Sequence, residues 1–419
     1  MTKRIAIIGA GTAGLHLGLL LRQHDIPVTI ITDRKPADMA SGRLLNTVAH
    51  HHVTLAREKA LGIDHWPAEE YGYFGHDHYV GGPQPMQFWG SFSQPSRAVD
   101  YRIYLPQLMN DFVERGGDIR YQQVTESQVS DLSREFDLIV VGTGKGVFGQ
   151  MFKHITELSP YEKPQRALCV GLYKGVAPTQ PRSTAMSSAP GQGELIAIPT
   201  LTFSGMSTAL LMENVHGGDL EVLARLNYEA DPNAFLDTLL AKLEKHHPTV
   251  YERIDQNVFD LCQPLDILQG GVVPTVRQPY TELANGRFAI AVGDVQSVVD
   301  PVVGQGANMA SYSAWVLGHA IINEAVYDKR FCEKVERERQ DRILAASKWT
   351  NAMLAPPSEA FLSLLAAMEQ NQDIRDEFTE NFSFPERQWD RLASDERIHA
   401  WLAEAGAFSQ ESVPQSQMA

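Results

Sequence analysis

Cysteine is scarce in this 419-residue chain: Cys169, Cys262 and Cys332 stand far apart and form no Cys-x-x-Cys pair. That spacing argues against a disulfide framework or a thiolate zinc site and for reduced, buried thiols. Long apolar runs are missing too, and none approaches the roughly 18 residues of a membrane span. Lys3-Arg4 followed by Ile5 to Ile8 has the outline of a signal peptide, but the run is short and passes into glycines without a cleavage-like site. Positive charge is in deficit, with 36 Lys and Arg against 51 Asp and Glu, a formal charge of −15. A phosphate-backbone partner is therefore not expected, which sets nucleic acid aside. There is no internal repeat, no low-complexity block and no basic amphipathic helix that would seat on a membrane. What remains is a globular chain that reads as cytoplasmic, long enough for two or three cooperating domains.

What is present begins at residue 4. Arg4 to Ile8 is a nearly continuous apolar run, as a strand buried on both faces should be. It ends in Gly9-Ala10-Gly11-Thr12-Ala13-Gly14, after which Leu15 to His24 carries helix formers, and Val28 to Thr32 is a second β-branched run. Strand, glycine turn, helix and strand make a βαβ unit, the context in which GxGxxG signifies a dinucleotide site. Gly9 permits the tight turn, Gly11 the approach of a pyrophosphate, and Gly14 close packing of helix on strand. Asp33, 24 residues after Gly9, is placed to accept from an adenosine ribose hydroxyl. Arg34 beside it is a complication, since an arginine there also suits a 2′-phosphate.

The C-terminal half separates FAD from NAD. Residues 138–141 and 288–292 read as further buried strands that run into Gly142 and Gly293. Gly293-Asp294 offers a carboxylate to a flavin ribityl chain, although an ordinary helix N-cap is the plain alternative for Asp294 alone. Asp300-Pro301-Val302-Val303-Gly304-Gln305-Gly306-Ala307-Asn308 then supplies a turn that opens a helix and can lay N–H groups against the pyrimidine end of the ring. Residues 195–214 alternate about Ser204-Gly205, a hairpin signal, and Asp231-Pro232 opens a helix to about His246. The chain beyond Gln305 is largely helical.

The two elements, Gly9 to Gly14 and Gly293 to Asn308, together resemble the flavoprotein aromatic hydroxylases, and the resemblance implies an α/β fold: a Rossmann-like FAD-binding domain of the p-hydroxybenzoate hydroxylase type, with an inserted α+β substrate domain and a helical C-terminal region. The FAD-binding domain is expected from residues 1–72, 97–175 and 265–330, and the substrate domain from 73–96 and 176–264. Helices are expected over 331–407, with a disordered tail at 408–419.

Longer segments carry a closer likeness: Arg43 to His50, Tyr73 to His76, Val80 to Pro85, Pro95 to Tyr101, Lys163 to Leu168, Ile267 to Pro274 and Phe384 to Arg391. These resemble the oxygenase component of two-component styrene monooxygenases, and they span nearly the whole chain. The resemblance implies a separate NADH:flavin reductase, reduced FAD as a diffusible co-substrate, and O2. It also implies oxygen transfer to styrene through an FAD C4a-hydroperoxide. The sister family, the indole monooxygenases, shares the architecture, and the set Asn46, Val48, His50, Tyr73, His76 and Ser96 matches the styrene side. In that setting Asn46 would position the oxygen-carrying flavin, and Val48 and Tyr73 would shape an apolar cavity. His50, His76 and Ser96 would supply sparse polar contacts. Pro301, Val302 and Val303 would roof the site, with Arg43 and Leu44 beside the cofactor.

A self-sufficient NAD(P)H-dependent hydroxylase is the main rival, but the middle of the chain has no second fingerprint containing Asp-Gly. A vestigial FAD-fold module that binds no flavin is the other, and the intact glycines argue against it. A homodimer is left open. No metal is expected, because His50 to His52, His76/His78 and His246/His247 lack ligand spacing; His51, His52, His246 and His247 read as solvated. The charged run from Glu333 to Arg342 reads as a solvated helix face.

Overall fold

The computed structural model describes residues 3–144, 148 and 150–406, so the tail expected at 408–419 lies outside the described residues. Apolar side chains on both faces of Ile5–Ile8, Val28–Thr32 and Leu138–Val141 make these strands the centre of a six-stranded sheet. Its order is Tyr280–Glu282, Phe288–Ala291, Leu138–Val141, Ile5–Ile8, Val28–Thr32, Asp118–Tyr121, parallel except for the first pair. Alternation divides the layers. Ile5, Ile7, Ile30 and Val140 enter a core shared with the helices Thr12–Gln23, Tyr101–Glu114 and Gly306–Asn323, while Ala6, Ile8, Ile31 and Val141 face the opposite core.

A second sheet of nine strands is built around the hairpin Gly193–Thr202 and Gly205–Val215, whose register closes at Thr202 and Gly205. Its alternation is equally strict. Leu195, Ala197, Leu210 and Met212 face the helix Pro232–His246, which Asp231 caps by accepting from Ala234 N at 3.0 Å. Ile196, Ile198, Ala209 and Leu211 face inward, toward Val302 and Val303. The strands Arg166–Lys174 and Ile267–Gly270 hydrogen-bond into this sheet, although the sequence reading groups them with the nucleotide half. The reason is visible in the ladder: Val170 and Leu172 extend the inward apolar face that Leu211 and Ala209 begin.

The C-terminal helices close the inner face of this sheet. Glu380 accepts from Ser93 N at 2.9 Å and from Ser93 Oγ at 2.7 Å, and Asp376 accepts from Ser91 N at 2.7 Å. A Cβ at Gly90 would fall 2.1 Å from Thr379 Oγ1, so only glycine lets the Gln372–Glu380 helix lie this close to the Met86–Val99 strand. Two readings of polar residues are corrected here. Arg339, in the run taken for a solvated face, is 1% exposed and donates to Ala291 O and Ser313 Oγ, tying the Lys329–Leu354 helix to the end of the first sheet. His247, expected in solvent, is fully buried, and its Nδ1 meets Ser187 Oγ at 2.8 Å. His52 and His246 are only half-buried; each meets a carboxylate, Glu380 at 3.0 Å and Asp219 at 2.8 Å.

Candidate functional site

The glycine motifs meet at the carboxyl ends of the parallel strands, where an open α/β sheet binds its ligand. Gly9 has φ +112°, and a Cβ there would fall 2.5 Å from Gly142 O; a Cβ on Gly14 would fall 2.1 Å from Gly9 O. Both glycines are demanded by packing. Gly11 is different, because nothing lies within 4 Å of its Cβ position: it borders open space at the N-terminus of the Thr12–Gln23 helix. The first-turn N–H groups of such a helix have no partner inside it and suit a pyrophosphate. Asp33 and Arg34 are exposed at the end of the next strand. A Cβ at Gly293 would lie 3.5 Å from that of Ala13, so Gly293-Asp294 packs directly beside the first motif. The turn Pro301–Val303 and the left-handed Gly304, φ +63°, lead into the helix that starts at Gly306. Leu44, Val302 and Val303 share one apolar cluster with Tyr73. An open helix terminus, an exposed acid at the end of the second strand and a glycine turn feeding a second helix fit a flavin cofactor.

Several candidates prove to be braces. Asn308 uses its whole side chain on protein: Oδ1 accepts from His51 N at 3.0 Å and Thr54 Oγ1 at 2.7 Å, and Nδ2 donates to Ala49 O and Gly304 O, both at 2.9 Å. It thereby fixes residues 49–54 to the glycine turn. His50 is spoken for at both nitrogens, by Glu58 Oε1 at 2.5 Å and Tyr101 OH at 2.8 Å. Tyr101 OH in turn meets Thr12 Oγ1 at 2.7 Å. The carboxylate of Glu58 is also held by Arg97 and by Tyr104 OH. Burial alone would push the Glu58 carboxyl up, but His50 and Arg97 beside it outweigh burial and hold it well below the ordinary range. Sequence reasoning missed Glu58, Arg97 and Tyr101; an acid inside the helix His52–Leu61 carries no pattern that distinguishes it from a surface glutamate.

Tyr73, His76 and Ser96 come together on the second sheet, and they are joined by His51, not His50. The Ala49–His50 strand pairs with Ala98 and Arg97, so His50 points into the nucleotide half; His51, just past it and expected in solvent, is instead 2% exposed, with Nδ1 3.3 Å from Ser96 Oγ. Tyr73 is fully buried and stands directly opposite Ser96 in the ladder. Phe92 and Phe382 complete this group, the latter 4.4 Å from His76 between ring centres and contributed by the C-terminal region. Burial holds His51 down to about 3 and His76 well below its ordinary value, so both are neutral imidazoles. His51 Nε2 and His76 Nδ1 are buried without partners. Val48 is half-buried and packs toward the nucleotide core, whereas Asn46 and Arg43 are exposed, Arg43 in an ion pair with Glu229 at 2.5 Å.

A nucleotide half with both glycine motifs, joined to an apolar sheet face, is the architecture of a flavin-dependent oxidoreductase. Solved structures share the fold over nearly the full chain. A flavin-dependent brominase, Bmp2, aligns at 14% identity and TM-score 0.67, over 96% of this chain and 98% of its own. A flavoprotein/dehydrogenase of Cytophaga hutchinsonii aligns at 14% identity and TM-score 0.66 with the same coverage. A family model described as the styrene monooxygenase A putative substrate binding domain matches residues 144–253. The styrene monooxygenase StyA of Pseudomonas fluorescens is 58% identical over 406 residues, 96% of this chain and 98% of the relative. The chain belongs to the styrene monooxygenase family, as its oxygenase.

Proposed function

We propose that the protein epoxidises styrene to styrene oxide with O2 and reduced FAD, the latter delivered by a separate NADH:flavin reductase. The observation that carries this reading is the 58% identity to a styrene monooxygenase, held across 96% of the chain. The geometry supports it. FAD would lie along Gly9, Gly11 and Gly14 with its ribose toward Asp33, its ribityl chain toward Asp294 and its ring against Pro301 to Gly304. Reduced FAD supplies the oxygen-activating chemistry; the protein's residues bind, orient and exclude water. Tyr73, His76 and Ser96 are buried and uncharged, which suits an alkene that brings no charge of its own. Asn46, neutral and exposed on the segment leading from Leu44, is the candidate to hold the reacting end of the cofactor in place.

The test mixes the protein with FAD, NADH and styrene, with and without an unrelated NADH:flavin reductase, and follows styrene oxide by chromatography. Epoxide that needs the reductase is the expected result. Epoxide without it would mean a self-sufficient enzyme, and fast indole oxidation without epoxide would move the assignment to the sister family.

A further inference from the structure

Glu213 stands on the inward face of the Gly205–Val215 strand, in line with Ala209 and Leu211, and is fully buried. Asp300, also fully buried, caps the turn Pro301–Val303 by accepting from Val302 N at 3.1 Å. Burial apart, each carboxyl is the strongest influence on the other, and the strand face and the turn that carry them share one apolar cluster through Leu211, Val302 and Val303. Glu213 Oε1 and Oε2 and Asp300 Oδ2 are buried and receive no donor. The other charged and titratable groups that act on the pair, among the described residues, are Arg166, Glu194 and Tyr161. Arg166 is the cation of the set, yet its fork closes on Glu194, at 2.8 and 3.0 Å, and its remaining nitrogen goes to the carbonyls of Gln165 and Leu354. Glu194, directly opposite Glu213 in the ladder, therefore takes the positive charge and leaves Glu213 facing Asp300.

Two carboxylates that close, shut away from water and from a cation, cannot both ionise at low cost. Burial first, and then Asp300 beside it, push the Glu213 carboxyl well above the ordinary range; Asp300 is raised as well, chiefly by burial. We propose that Glu213 and Asp300 are a positioning pair that shares one proton, and that this proton clamps the Pro301–Val303 turn, and with it the flavin seat, to the inner face of the substrate sheet. While the proton is present, a single O–H···O bond ties sheet to turn. When it is lost to solvent, two facing anions push the cap residue away from the strand, and Val302 and Val303 lose their register on the apolar face. Because the pair is raised, the clamp is whole at low pH and opens as pH rises through its titration.

The proposal rests on the reading of residues 301–304 as the flavin-facing turn. It is tested by measuring FAD affinity of the full chain from acid to alkaline pH in the wild type, in Glu213→Gln and in Asp300→Asn. In each variant an amide N–H replaces the shared proton and cannot be titrated away. Wild-type affinity is expected to fall about tenfold with rising pH, the worth of one such bond, while both variants hold a flat profile. Asp300→Asn answers the question if Glu213→Gln folds poorly. Wild-type and variant profiles that fall in parallel would overturn the pair. Absence of FAD binding at every pH would instead overturn the reading of the turn.

Discussion

The neutral histidines at the heart of both layers make a quantitative forecast about acid. His16, His51, His78 and His247 are held down to about 3 by burial, and His76 lies well below its ordinary value for the same reason. In the unfolded chain each takes a proton near 6.5. The stability they contribute is therefore whole above about pH 6.5 and is lost as pH falls from there toward 3. Between pH 7.5 and 5.5 one such histidine costs about 1.4 kcal/mol, and five together about 7 kcal/mol, against a typical total stability of about 5–15 kcal/mol. The chain should thus lose much of its stability over the two pH units in which these five histidines take up protons in the unfolded chain but not in the folded one. His78→Phe isolates one share. His78 stacks on Phe88 at 5.0 Å and its Nε2 has no partner, so a phenyl ring replaces it with little change in packing. Denaturant unfolding at the two pH values should show the acid penalty reduced by about 1.4 kcal/mol in the variant. A penalty equal to that of the wild type would mean that His78 is not a neutral, buried group, and the reasoning would fail with it.

Two further predictions separate packing from binding. Gly11→Ala adds a methyl where nothing lies within 4 Å, so it should fold and melt like the wild type while FAD affinity falls; Gly14→Ala, whose Cβ would meet Gly9 O at 2.1 Å, should lose stability as well, and a thermal melt beside an FAD titration distinguishes them. Arg97→Met removes the cation that holds Glu58 inside the nucleotide half and should cost about 3–5 kcal/mol in denaturant unfolding, the usual result of stranding one member of a buried pair; a cost below about 1 kcal/mol would mean that Glu58 is not ionised there.

The nucleotide half was legible because its signals are local. Gly9 to Gly14, the strands on either side and the helix between them lie within about thirty residues, the span of a βαβ unit, and each states its own backbone need. The hairpin about Ser204 and the cap at Asp231 were legible for the same reason. What the chain hides are pairings set by orientation and distance. His50 and His51 are chemically the same residue one step apart, and only the pairing of Ala49–His50 with Arg97 and Ala98 decides that His50 serves Glu58 while His51 turns to Ser96. Glu213 and Asp300 are 87 positions apart, each unremarkable alone, and become a pair only when a strand of the second sheet is laid against the glycine turn. Phe382 lies in a region that the sequence describes only as helical, yet its ring packs on His76. The periodicity that reveals a helix or a strand says which side of it is buried, but not against what. That is why the cofactor seat can be read from one end of the chain, whereas the chamber that meets the substrate is assembled from residues that the sequence lists as unrelated.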